Sequence, residues 1–279
     1  MKFAQSSFVY SNYSLQYAIR SLGRMGYDGI AVWGGRPHMY RQDLHAQLPE
    51  IRDLLAEYGM EVCHVVPAQF RYPSLLASSN ERVRRESVRY IMDNVDNALL
   101  LGAPSVHVCA GMSLFDQPRE RGWECLRRSI VEILEYMHGM GLRLYIEPAH
   151  RFESNQILTL DDGLRMVREI GDPQLGILLD TGHLHVNGED LAEGVAKLGP
   201  LLGHVDLDDN DGSADAHLAP RAGTIDFAPF AAALRRAGYT GYVSAELGMS
   251  YVLDPEPVVA SCLAWLRQMF ADRVDSSAV

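Results

Sequence analysis

Short apolar runs alternate with longer segments of helical periodicity from one end of this chain to the other, the pattern of a parallel sheet wrapped by helices. Strands are predicted over Phe3–Phe8, Ile30–Trp33, Glu61–Val66, Val106–Cys109, Leu142–Glu147, Leu175–Leu179, His204–Leu207 and Tyr242–Ala245. The helical pattern falls on Ser14–Met25, whose Leu15, Ala18, Ile19 and Leu22 share one face, and on Leu44–Tyr58, Asn80–Leu101 and Trp123–Met140. It returns at Asp161–Ile170, Leu191–Leu198, Phe227–Ala237 and Pro255–Met269, and Gly141 is placed to close the fourth helix. Eight strands and eight helices in 279 residues match one (β/α)8 barrel, for which about 250 residues is typical. No Pro- or Ser-rich linker divides the chain, so residues 1–271 are expected to form a single TIM barrel, with 272–279 a frayed tail.

Four of the strand-like runs end in an acid: Glu147, Asp180, Asp206 and Glu246. In a barrel of this kind the carboxyl ends of the strands carry the active site, and these four ends belong to strands five to eight. Any one of them alone would serve as a helix N-cap or a loop residue. Four carboxylates brought together repel one another unless a cation lies between them, so the set predicts one shared divalent ion, with Glu147, Asp180, Asp206 and Glu246 as ligands. Oxygen-only ligation favours Mn²⁺ or Mg²⁺ over zinc. His204 shares a strand face with Asp206 one layer deeper, as a core histidine or a fallback ligand.

An ion beside two glutamates implies a reaction class. It acidifies the C–H next to a carbonyl by stabilising the enediolate left behind, and two carboxylates on opposite faces of that carbon exchange its proton. Glu147 and Glu246 are the expected catalytic pair. Trp33, Arg36 and His38 follow strand two and are expected to line the substrate pocket, Trp as an apolar wall and Arg as a clamp for hydroxyls or carboxylates. The competing reading is a Gly-Gly turn with surface decoration. Tyr72-Pro73 reads as a turn or a further wall element. Asp211, Asp215 and His217, after strand seven, are candidates for a polar substrate end, against the alternative of a solvated acidic loop. Arg84, Arg85 and Glu86 read as a helix-surface ion network, and His64 and His107 as core.

Composition narrows the partners. Hydrophobic residues make up 47% and charged residues 22%, as in globular proteins, and the net charge of -11 disfavours a partner bound through phosphate neutralisation. Cys63, Cys109, Cys125 and Cys262 form no Cys-x-x-Cys pair and are expected as free thiols in a reducing cytosol. Neither a signal-peptide core nor an apolar run long enough for a bilayer is present, and the expected location is cytoplasmic.

The segments Gly26-Tyr-Asp-Gly-Ile30, Trp33-Gly-Gly-Arg-Pro-His38, Arg84-Arg-Glu-Ser87, Glu147-Pro148, Glu153-Ser-Asn155, Asp209-Asn-Asp-Gly212 and Gly238-Tyr-Thr-Gly-Tyr242 resemble those of fructoselysine 3-epimerases. Those enzymes belong to the D-tagatose/D-psicose 3-epimerase group of the xylose-isomerase-like sugar isomerase/epimerase superfamily. The resemblance implies one Mn²⁺-like ion held by Glu, Asp, His and Glu, with the glutamates doubling as acid–base catalysts. By position Glu147, Asp180 and Glu246 match ligands, Glu153 matches a substrate-orienting glutamate, and His183 matches a histidine that binds substrate hydroxyls. Asp206 stands where the family has histidine, and it is expected to bind the ion directly. The implied substrate is a ketose or a fructosyl-amino-acid-like conjugate. The implied assembly is a homodimer or homotetramer. A lyase on the same scaffold, a dehydratase or a C-glycoside deglycosidase subunit in a hetero-oligomer cleaving 3-keto-glycosides, is the alternative. An endonuclease IV-type repair enzyme would need a histidine-rich trinuclear zinc site and a basic groove, and a non-catalytic sugar-binding barrel would need no acid–base pair.

Overall fold

The computed structural model describes residues 1–69 and 74–270. Eight parallel strands close into a barrel in chain order: β1 (Lys2–Ser6), β2 (Gly29–Trp33), β3 (Glu61–Val66), β4 (Ser105–Cys109), β5 (Arg143–Glu147), β6 (Leu175–Asp180), β7 (Leu202–Leu207) and β8 (Tyr242–Ala245). The helices are α1 (Leu15–Met25), α2 (Leu48–Tyr58), α3 (Glu81–Leu101), α4 (Arg119–Met137), α5 (Leu160–Ile170), α6 (Thr181–Asn187), α7 (Leu191–Leu198), α8 (Phe227–Arg236) and α9 (Glu256–Phe270). Tyr72, Pro73 and the tail Asp272–Val279 lie outside the described residues.

The eight-strand barrel agrees with the sequence pattern, and the differences are local. β1 stops at Ser6, and the chain turns through a 3-10 segment, Ser7–Tyr10. α2 starts at Leu48, with Pro49 in its first turn where a missing N–H costs nothing, so the residues from Arg41 to Leu44 form a separate 3-10 turn. α4 begins after Pro118 and ends at Met137, short of Gly141. α6 is an additional helix between β6 and α7, capped by Asp180 at the end of β6. Elsewhere short polar side chains set the helix starts: Ser14, Asn80, Thr159, Asp190 and Asp226 each accept a backbone N–H of the first turn.

The apolar core lies between the barrel and its helices. Leu15, Ala18, Ile19 and Leu22 of α1 are buried there, as their spacing predicts. Arg84 departs from the expected surface network. It is fully buried between α3 and α4, where it pairs with Glu81 and Glu132 and donates to Ser129 Oγ at 3.1 Å. Among the described residues no helix is long and apolar enough to cross a membrane.

One irregularity determines what β7 offers the barrel interior. Ile177 pairs with Leu202, but Leu178 pairs with His204, so Gly203 is an extra residue on β7. A one-residue shift exchanges the two faces of a strand. Beyond it, Val205 and Leu207 join the core under the helices, whereas His204 and Asp206 turn inward and Asp206 comes level with Asp180. Gly203 has no side chain because a Cβ there would overlap the Tyr145 ring.

Candidate active site

The strand ends bring the acids together at the barrel mouth. β4 and β5 pair Cys109 with Glu147, β6 and β7 pair Asp180 with Asp206, and β7 and β8 pair Asp206 with Ser244, two residues before Glu246. Carboxylate oxygens of Glu147, Asp206 and Glu246 lie within 4.8 Å of one another, and Glu147, Asp180 and His183 form a second group of the same tightness. All four acids are buried, Asp180 and Asp206 completely.

Asp180 does cap a helix, since its Oδ1 accepts the His183 N–H at 2.8 Å, but its Oδ2 has no hydrogen-bond partner. Both oxygens of Asp206 are likewise without one, Oδ1 standing 3.3 Å from His204 Nε2 without an aligned bond. Buried carboxylate oxygens left without donors are costly unless a cation meets them. The donor set therefore fits a hard divalent ion held by Glu147, Asp180, Asp206 and Glu246. Burial, reinforced by the surrounding acids and only partly offset by His183, pushes Glu147 up to about 8 and Asp180 up to about 6. Glu246 is pushed well above the carboxylate range by burial and by Asp206.

A second cluster adjoins the first. An antiparallel bridge between Asp209 and Leu218 folds the loop after β7 back over the mouth. There the Nε2 atoms of His217, His183 and His150 lie 3.0, 3.2 and 3.4 Å from one oxygen of Asp215. His217 Nδ1 lies 2.9 Å from Asp208, and His183 Nε2 lies 3.7 Å from Glu153. Burial works against charging His183 and His217, but the acids outweigh it and raise both well above the usual imidazole value. Asp215 is held far below its usual range in spite of its burial, mainly by His217.

These groups open into a cavity of about 490 Å³. Glu147, Glu153, His183, Asp215, His217 and Glu246 line its polar side, and Phe8, Trp33, Val66, Pro67, Ala68 and Met249 its apolar side. Among the described residues lining it there is no Lys or Arg. Trp33 thus stands where a pocket wall was expected, packed 5.4 Å from Phe8.

Arg36 and His38 do not reach this wall. The Arg36 side chain is 68% exposed and pairs with Asp43 while lying over the Tyr40 ring, because the turn after Gly34-Gly35 directs it outward. His38 is fully enclosed: its Nε2 donates to the carbonyls of Tyr10 and Tyr13, and its Nδ1 accepts from Ser7, whose Oγ also accepts the Trp33 N–H. It supports Trp33 from behind. Asp211 is exposed and accepts from Ser213, while Asp215 and His217 from the same loop enter the site. His64 is enclosed in the barrel, but His107 lines the cavity with Nε2 3.4 Å from Glu147 Oε2. The sequence signal for it was its position two residues before the end of β4, on the same strand face as Cys109.

A profile of the family described as Xylose isomerase-like TIM barrel matches residues 19–269. Fructoselysine 3-epimerase of Shigella flexneri is 29% identical over 259 residues, 92% of this chain and 94% of that protein. Among solved structures, 3-keto-D-glucoside 4-epimerase from E. coli superposes with a TM-score of 0.81 at 22% identity, covering 96% of this chain and 99% of that one. D-psicose 3-epimerase, solved in the presence of D-fructose, gives a TM-score of 0.80 at 19% identity over 97% and 99% of the two chains.

Proposed function

Since the chain belongs to the xylose isomerase-like TIM barrel family, with sugar epimerases among its curated relatives, we propose that it is a divalent-metal-dependent epimerase of a ketose or ketose conjugate. The observation that carries this reading is the meeting of Glu147 and Glu246, both buried, at the floor of a cavity large enough for a sugar. Mn²⁺ or Mg²⁺ held by Glu147, Asp180, Asp206 and Glu246 supplies Lewis-acid polarisation of a carbonyl and its neighbouring hydroxyl when bound.

The chain's own residues do the rest. Glu147 removes the proton from the carbon beside the carbonyl at Oε1, the oxygen that does not face His107, and Glu246 returns one from the opposite side, which inverts the centre. The Nε2–H of His183, together with Glu153 and His217, meets the sugar hydroxyls, and Asp215 fixes the orientation of both imidazoles. Trp33, Phe8 and Met249 cover the carbon face and exclude water.

The test is incubation of the Mn²⁺-loaded protein in D₂O with ketoses, fructosyl-amino acids and 3-keto-glycosides, read by NMR. Deuterium at one carbon together with an epimer is expected, and Glu147→Gln and Glu246→Gln should each abolish it. An unsaturated or cleaved product would assign a lyase instead, and no exchange with any of these sugars would refute the reading.

A further inference from the structure

The loop after β7 that carries Asp215 and His217 is closed at its neck. Asp209 and Leu218 exchange backbone hydrogen bonds of 2.8 Å in both directions, and the Thr224 N–H donates to the Asn210 carbonyl at 2.9 Å. The fully buried Asp209 carboxylate then grips the returning chain. One of its oxygens accepts the N–H groups of Arg221 at 2.9 Å and Gly223 at 3.0 Å, and the other accepts that of Ile225 at 3.1 Å. Hydrogen bonds to a carboxylate are roughly twice as strong as neutral ones, so three of them hold this stretch firmly. Gly223 has no side chain because a Cβ there would overlap the Asp209 carboxylate and the Asn210 carbonyl.

The loop needs that grip because it is strained where it enters the site. His217 has a φ of 42° and Arg221 a φ of 77°, left-handed conformations that residues with a side chain keep only when their surroundings impose them. His217 is held on one side by the Leu218 pairing and on the other by the Gly248 N–H, which donates to its carbonyl at 2.9 Å. We propose that Asp209 is a positioning residue for sugar binding: its carboxylate latches residues 221–225 to the end of β7 and so keeps Asp215 and His217 folded over the mouth before a sugar arrives. Asp209 does not line the cavity and acts through the loop. Without the latch the folded loop is only a fraction of the population. The apparent affinity for sugar then falls by that fraction, while the bound complex and the acids at the ends of β5 to β8 are unchanged. The effect on binding rests on His217 meeting the sugar in the epimerase reading above, whereas the latch itself does not.

Two measurements test the proposal. Amide hydrogen exchange of the Mg²⁺-loaded protein, read by mass spectrometry on fragments spanning 218–225, should be slow in the wild type. In Asp209→Asn, whose amide nitrogen cannot accept one of the latch N–H groups, it should be at least about 10-fold faster, with strand fragments unchanged. Gly223→Ala should speed the same fragments, since its methyl pushes the chain off the carboxylate. Fragments that exchange as in the wild type in either variant, or strands that loosen together with the loop, overturn the latch whether or not any sugar turns over. On the sugar that is epimerised, Asp209→Ala, which removes all three bonds, should raise KM at least about 10-fold with kcat and Mg²⁺ affinity little changed. Asp209→Asn should fall between it and the wild type, and Gly223→Ala gives the same split if Asp209→Ala does not fold. An unchanged KM, or a loss carried by kcat or Mg²⁺ affinity, would refute the positioning role. Failure of the wild type to label any sugar counts against the epimerase reading alone, and amide exchange still decides the latch.

Discussion

The acid stability of the protein should depend measurably on His38. Its ring is fully buried, and burial pulls its pKa from 6.5 to about 4 against the contrary pull of the Tyr13 and Tyr10 carbonyls. Unfolded chains take up the proton near 6.5, whereas the folded protein refuses it until about 4. The unfolded state therefore binds more protons across that window, and stability falls as the pH drops through it, at up to about 1.4 kcal/mol per pH unit. The gap from 6.5 to about 4 amounts to about 3 kcal/mol in all. His38→Gln keeps an N–H for the carbonyls but loses the acceptor for Ser7, which costs about 1 kcal/mol at pH 7.5. Urea unfolding of both proteins from pH 7.5 down to 4 reads the difference and cancels the contribution of the other acids. The wild type should be the more stable at pH 7.5 and the less stable near pH 4. A difference that stays constant with pH would refute the reasoning.

Mn²⁺ or Mg²⁺ at 100 times its Kd should stabilise the protein by about 2.7 kcal/mol in a thermal scan, and Asp206→Asn should remove much of that shift. Arg36→Ala should change stability by less than about 0.5 kcal/mol and leave sugar KM unaltered, because the side chain pairs only at the surface. Gly203→Ala should destabilise by about 1–3 kcal/mol in urea unfolding, since the new methyl must displace the Tyr145 ring.

The acids at strand ends were readable because a carboxylate closing an apolar run is a local pattern, and barrel topology directs every such end to one mouth. Asp215 was less readable. Its role depends on the Asp209–Leu218 bridge that folds a polar loop back onto His150 and His183, contributed by other parts of the chain. Arg36 and His38 share a motif with Trp33, yet only Trp33 reaches the cavity, because the turn sends one neighbour to solvent and the other behind the wall.

By itself, then, the sequence determined the barrel, its strand order and the acids at the ends of β5 to β8, all of which follow from periodicity and chain order. Only the tertiary structure decided which residues face each other. The extra residue at Gly203 turns His204 and Asp206 inward, and the stacking of β3, β4 and β7 histidines brings His107 beneath Glu147. Strand register and side-chain contact across the barrel depend on partners far apart in the chain, which a local pattern does not encode.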